Sequence, residues 1–381
     1  MLLIAVTLTL FLWLLPSQIE AVGAKVERLP GFDGPLPFHL ETGYIGLGDP
    51  DDEMQVFYYF VKSENDPQND PLLLWITGGP GCSSFSALVY ELDAKVVDLI
   101  TLCLVANIIF VDLPMGTGYS YTKNVLRHRS DWKMVHQTHG FIRKWLAENP
   151  EFLSNKFYMA ADSYSGIPVP PITQEIADGN ERGLEPRINL QGYILGNPVT
   201  SGLEENDRIP YVHGMGLISD ELYWSLKKNC NGNIINVDST NKLCLNDIQY
   251  YNKLLENIEL DNILGIYCAE ENLKGTRWNP RRCLAEKIKA PLISSVTLPD
   301  MRCRSYGFFL CTEWMNDPSV RKALHIREGS IGEWIRCYKD DYVFDIPSSI
   351  PFHANLSAKG YPSLIYSGDH DAVVPFSSTQ L

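Results

Sequence analysis

Unbroken apolar runs alternate with amphipathic ones along most of the chain. Pro71-Leu-Leu-Leu-Trp-Ile-Thr77 and Ala106-Asn-Ile-Ile-Phe-Val-Asp112 are continuous hydrophobic segments of strand length, as expected of strands buried on both faces. Upstream, Glu41-Thr-Gly-Tyr-Ile-Gly-Leu47 and Met54-Gln-Val-Phe-Tyr-Tyr-Phe-Val-Lys62 predict two strands forming a hairpin across the acidic stretch Asp49 to Glu53. Between Asp131 and Glu148 the period changes: Trp132, Val135, Phe141 and Trp145 share one face of a helix, with charges opposite. Phe157 to Ala161 predicts another buried strand with a helix behind it, and Ile188 to Leu195 a further one. Apolar strands alternating with helices indicate an α/β domain with a mostly parallel sheet.

From Pro198 the alternation stops. Helical spacing over Asp220 to Lys228 and Leu245 to Ile258 lies among polar loops and four cysteines, so residues 198–300 are read as an inserted, helical, disulfide-bonded cap. The sheet pattern returns late. Asp317-Pro318 predicts a capped helix start over residues 317–324, and Ser363-Leu-Ile-Tyr366 a last strand.

Composition narrows the setting. A formal charge of −14 in 381 residues argues against nucleic acid or an anionic membrane surface as partner. Leu2 to Leu15 is an apolar run too short to span a bilayer, with small residues at Ala21 and Ala24 where a leader is cut. Residues 1–21 are therefore read as a secretory signal, despite lacking a basic start, and residues 22–381 as the mature domain, secreted or vacuolar, with no stable membrane anchor. Nine cysteines suit an oxidising compartment, and the odd count leaves at least one unpaired within the chain. Cys230–Cys244 and Cys268–Cys283 bracket polar loops without the CxxC spacing of a zinc site, so local disulfides are expected. Asn355-Leu-Ser357 is a sequon compatible with glycosylation on a surface loop.

The candidate chemistry begins at Ala161-Asp-Ser-Tyr-Ser165. A serine flanked by small residues at a strand-to-helix turn is the setting of a nucleophile elbow, although Ala161 stands where the motif has glycine. Gly78-Gly-Pro-Gly81 follows another central strand, where a glycine turn can aim backbone N–H groups at a ligand. It lacks the lysine of a phosphate loop and the GxGxxG of a dinucleotide fold. Gly368-Asp-His-Asp371 follows the last strand, so Ser163 and Asp371 stand in the chain order that an α/β-hydrolase requires.

Five segments carry a family resemblance: Trp75 to Ser84, Pro114 to Tyr121, Asp162 to Gly166, Leu190 to Pro198 and Tyr366 to Asp371. Over about Val26 to Leu381 the chain resembles the serine carboxypeptidases, and in particular the plant serine carboxypeptidase-like branch, which includes glucose-ester acyltransferases. The resemblance implies an α/β-hydrolase fold with Ser163 as nucleophile, Asp371 orienting a histidine, and an oxyanion hole formed by the N–H groups of Gly79 and Tyr164. It further implies substrate binding by Thr77, Gly78, Glu91 and Asp162, with Glu91 and Asp162 sharing a proton to hold a substrate carboxylate. It implies a Cys82–Cys303 disulfide, and it calls for no metal or organic cofactor. Peptidases of the family tend to carry Asn at position 77 and Glu at 162; Thr77 and Asp162 lean toward the acyltransferase-like branch.

Two features depart from that pattern. Leu92 to Cys103 is shorter than, and unlike, the family's segment, which alters the rim of the expected pocket. None of the eight histidines (His39, His128, His136, His139, His213, His325, His353 and His370) follows Asp371, where this fold places its general base. His370, adjacent to Asp371, cannot serve in the same relay. The C-terminal end therefore reads as truncated, with apolar sheet edge expected to be exposed. Two functions stand at this level. One is a hydrolase or acyltransferase acting on a peptide or small ester through Ser163. The other is a catalytically dead family member that binds without reacting.

Overall fold

A computed structural model describes residues 23–48, 54–91, 105–123, 128–202, 207–267 and 304–380. The expected signal segment (1–21), the acidic hairpin loop, Leu92 to Cys103, Cys268 and Cys283 lie outside them.

The strands are β1 (Gly23–Val26), β2 (Leu40–Leu47), β3 (Met54–Val61), β4 (Leu72–Ile76), β5 (Asn107–Val111), β6 (Tyr121–Thr122), β7 (Arg129–Ser130), β8 (Phe157–Asp162), β9 (Leu190–Gly196), β10 (Tyr342–Val343) and β11 (Ser363–Tyr366). One mixed sheet runs β1-β2-β3-β5-β4-β8-β9-β11, with β6 added beside β3, while β7 and β10 form a separate parallel pair. β2 and β3 are the antiparallel hairpin that the sequence predicts. From β5 onward, neighbouring strands of the main sheet are parallel.

Period-two side-chain alternation splits the core into two layers. Val56, Tyr58 and Phe60 of β3 point into a layer with Phe141 and Trp145 of α1 (Asp131–Glu148) and Ile172 and Ile176 of α2 (Val169–Glu181). Phe57, Tyr59 and Val61 face the other layer, with Trp75, Phe85, Met315 and Trp334. Both faces are thus covered, which is why these strands read as unbroken hydrophobic runs.

The cap contributes α3 (Arg208–Gly214), α4 (Asp220–Asn229) and α5 (Lys242–Leu255) around its own small core of Ile209, Val212, Leu222, Leu226 and Tyr251. A disulfide joins Cys230 to Cys244 across α4 and α5. Beyond the cap come α6 (Arg304–Met315), α7 (Pro318–Ala323) and α8 (Ile350–Ala358). Asp317 caps α7 by accepting from Ser319 N, with Pro318 in its first turn.

Two expectations are corrected here. Cys82 bonds Cys337, not Cys303. The reason is local: residues 336–338 run antiparallel to 81–83, with Ser83 N donating to Arg336 O and Tyr338 N to Gly81 O, so the two cysteines face each other. Asn355 lies on helix α8 and not on a loop, although it is exposed as a sequon asparagine must be to be modified. The last strand, β11, leaves Leu364, Ile365 and Tyr366 substantially exposed.

Candidate active site

Strands β4, β8, β9 and β11 are parallel, so their carboxyl ends meet at one edge of the sheet, where open α/β sheets hold their ligands. Register sets the neighbours. Ile76 pairs with Ala161, bringing Thr77 beside Asp162. Asp162 and Tyr366 both pair with Gly196, bringing Ser163, Asn197 and Ser367 side by side.

Ser163 follows β8 with φ +53°, a conformation uncommon for any residue but glycine, asparagine or aspartate. It is the strained turn on which a nucleophile elbow depends. Gly78 explains how β4 can end so close to it. A Cβ on Gly78 would lie 2.7 Å from Ser163 Cβ and 2.9 Å from Tyr164 N, so any side chain there would collide with the elbow. Asp162 secures the junction from the other side, its Oδ1 accepting from Gly78 N at 3.1 Å. Gly79, with φ +124°, turns the chain away. Ser165 Oγ donates to Thr77 O at 3.1 Å, and Thr77 N donates to Ser84 Oγ at 3.1 Å. Thr77, Gly78, Gly79, Asp162, Ser163 and Tyr164 therefore form one cluster.

Behind the glycine turn stands a group that the motif reading overlooked. Asp112, fully buried after β5, accepts from Ser83 Oγ (2.6 Å) and Ser84 N (3.1 Å) with Oδ1, and from Tyr119 N (3.0 Å) with Oδ2. It ties the Gly78–Ser84 turn to the Pro114–Tyr121 segment. In sequence it is only the polar end of an apolar strand; Gly118 is its one visible companion, since a Cβ there would fall 2.1 Å from Asp112 Oδ2.

Asp371 lies on the loop after β11, at the same edge of the sheet. Its Oδ1 accepts from Val373 N (2.7 Å) and Val374 N (3.0 Å), a tight turn that fixes the carboxyl. Asn197 anchors this loop, accepting from Gly368 N and donating to Ser367 Oγ and Val374 O. Glu91 ends a short π-helical turn over Ala87–Glu91, and its side chain lies outside the described residues.

All eight histidines are described, and seven of their rings have partners: His39 with Glu41, His136 and His139 with Glu175, His213 with Asp220, His325 with Thr42, His353 with Tyr193, and His370 with Asp369. His136 and His139 sit on α1, as the sequence reading has them. Burial pulls the His139 and His353 rings below the usual imidazole range.

Comparison with known proteins shows what the chain as a whole is similar to. A serine carboxypeptidase family profile matches residues 30–381. Serine carboxypeptidase-like 19 of Arabidopsis thaliana is 46% identical over 374 residues, covering 93% of this chain and 80% of the relative. Serine carboxypeptidase-like 9 of the same plant is 46% identical over 387 residues, covering 97% and 83%. Among solved structures, a prohormone-processing carboxypeptidase from Saccharomyces cerevisiae superposes with a TM-score of 0.68 at 17% identity, over 94% of this chain and 80% of that one. At that identity the likeness concerns the fold.

Proposed function

The chain belongs to the serine carboxypeptidase family, and on that premise we propose that it forms an acyl intermediate on Ser163 from a small ester or a peptide. The observation that carries this reading is the left-handed Ser163 packed against a side-chain-free Gly78. In the proposed chemistry Ser163 Oγ attacks the substrate carbonyl, the N–H groups of Gly79 and Tyr164 receive the developing oxyanion, and the ester C–O or peptide C–N bond then breaks, the departing alcohol or amine leaving with the proton that Ser163 gives up. Asp371 is the orienting acid. Asp162 and Glu91 are the acids proposed to receive a substrate carboxylate when one of the two carries a proton, which favours acidic pH. Thr77 and Asp162 incline the choice toward acyl transfer from a glucose ester over peptide hydrolysis. Disulfides within the chain and the exposed sequon at Asn355 support a site of action outside the cytosol, secreted or vacuolar.

A serine-reactive fluorophosphonate tests the proposal. Labelling of the wild type that disappears in Ser163→Ala supports it, and absence of labelling in a well-folded sample overturns it. Comparing transfer from a glucose ester with residue release from a blocked dipeptide then separates the two reactions; turnover of peptides alone reverses the preference.

One observation favours a second reading, binding without chemistry. Seven of the eight imidazoles have a partner other than Ser163 and Asp371. Saturable binding of an ester by an unlabelled, folded protein would select it.

A further inference from the structure

Asp131 is the first residue of α1, wholly buried, and takes no part in the chemistry described so far. Its carboxylate is nonetheless surrounded by donors. Oδ1 accepts from the hydroxyl of Tyr164 (2.5 Å) and of Tyr342 (2.8 Å), and Oδ2 accepts from Ile346 N (3.0 Å). A buried carboxylate is costly unless hydrogen-bonded, and here three donors and the N-terminal end of an 18-residue helix offset that cost. Two of the donors come from the 342–346 segment and serve its packing against α1. The third comes from the residue whose backbone N–H is read as an oxyanion donor.

The peptide unit between Ser163 and Tyr164 is held at one end already. Ser163 O accepts from Val199 N at 2.9 Å. In a trans peptide the N–H points opposite to the C=O, so Tyr164 N–H is turned away from Val199. The nitrogen lies beside the Gly78 turn, where a Cβ would come within 2.9 Å of it. What remains is the position of Tyr164 Cα, and with it the tilt of that plane. This is fixed through the side chain: the ring lies edge-on to Tyr342 (6.0 Å) and Phe344 (5.6 Å), and the hydroxyl is held by Asp131. Burial, with the adjacent Asp131 carboxylate, pushes the Tyr164 phenol far above its ordinary range, so it remains a donor at any working pH.

We infer that Asp131 is a positioning residue for the Tyr164 N–H: through the phenol it sets the second oxyanion donor from about a side chain's length away. The inference rests on the reading of Tyr164 as that donor. Because the adjoining Ser163 is strained, its surroundings must over-determine the elbow, and Asp131 is part of that surround.

Three variants test it, read by fluorophosphonate labelling kinetics and by melting. Tyr164→Phe keeps the ring and the N–H but loses the tether. Its maximal phosphonylation rate should fall about tenfold, less than the ~100-fold or greater loss expected when a donor is deleted outright. Reversible binding of the reagent should hardly change, and the melting temperature should fall less than in Asp131→Ala, because Asp131 keeps the Tyr342 and Ile346 donors. Asp131→Asn keeps an oxygen for the phenol but turns an amide toward Ile346 N–H; it should melt lower and label at close to the wild-type rate. Asp131→Ala should lose both rate and stability. Rate losses that simply follow melting losses across the three would overturn the inference. If the wild type is not labelled, the nucleophile reading fails and hydrogen–deuterium exchange decides this one. Tyr164→Phe should then speed exchange of the amides around 163–167 while those of 131–148 stay as in the wild type, and unchanged exchange at 163–167 would sink it.

Discussion

At the scale of single residues, Asp112 and Asp131 are two buried carboxylates with different consequences. Burial pushes the Asp112 carboxyl up to about 7, against the hydrogen bonds from Ser83, Tyr119 and Ser84 that favour its ionised form. Its value in the unfolded chain is near 3.8. The native state therefore holds this proton more tightly than the unfolded state does. The resulting stabilisation is complete below the unfolded value and is lost as pH rises through the folded one. Relative to Asp112→Asn, the wild type should lose unfolding free energy by up to about 1.4 kcal/mol per pH unit between roughly pH 4 and 7. Paired denaturant titrations across that range check this, and a pH-independent difference would show that Asp112 stays ionised. Neither carboxylate was legible as important from sequence. Asp112 closes an apolar strand and Asp131 opens an amphipathic helix, both ordinary places for an acid. Their partners at Tyr119, Tyr164 and Tyr342 are brought to them only by folding. Ser163 and Gly78 stood out as candidates because each lies within two residues of a strand's end, and Asp371 because it lies on the loop after the last strand.

At the scale of elements, the cap reaches the loop that follows β11. Its segments grip the Asp371 loop by four hydrogen bonds: Tyr211 OH to Asp369 O (2.7 Å), Ile263 N to His370 O (2.9 Å), Ala372 N to Leu260 O (2.8 Å) and Arg208 Nη2 to Val373 O (3.2 Å). Ala372 is buried within the cap's own core, and Phe376 packs edge-on to Tyr211. Loosening the cap should therefore loosen the loop. Replacing Cys230 and Cys244 by serine opens a 14-residue separation and should cost about 3 kcal/mol in the chain-entropy account. Hydrogen exchange of residues 369–374 should rise together with that of α4 and α5; faster exchange in the helices alone would show that loop and cap are independent. The cap's helices and this disulfide were readable from periodicity and spacing. The grip was not, because it is made largely by backbone groups more than a hundred residues apart in sequence. The two-residue pair β7–β10 escaped for a related reason, since two residues show no period.

At the scale of the whole molecule, the mostly parallel sheet and its two-layered core follow the alternation of apolar runs and helices, which is why the fold class could be read early. Long-range covalent pairing could not. Cys303 was the partner that family likeness suggested for Cys82, and only the antiparallel contact of 81–83 with 336–338 brings Cys337 into place instead. That bond spans 255 residues, including strands β5, β8 and β9 and the cap helices α3 to α5. It makes a closed ring of the central two-thirds of the polypeptide. A protease that cuts once anywhere between Cys82 and Cys337 would therefore open the ring without dividing the molecule. The nicked protein should migrate as one species in a denaturing gel without thiol and as two fragments once thiol is added, provided no second bond bridges the cut. Fragments that part without thiol would show that the ring is not closed in solution.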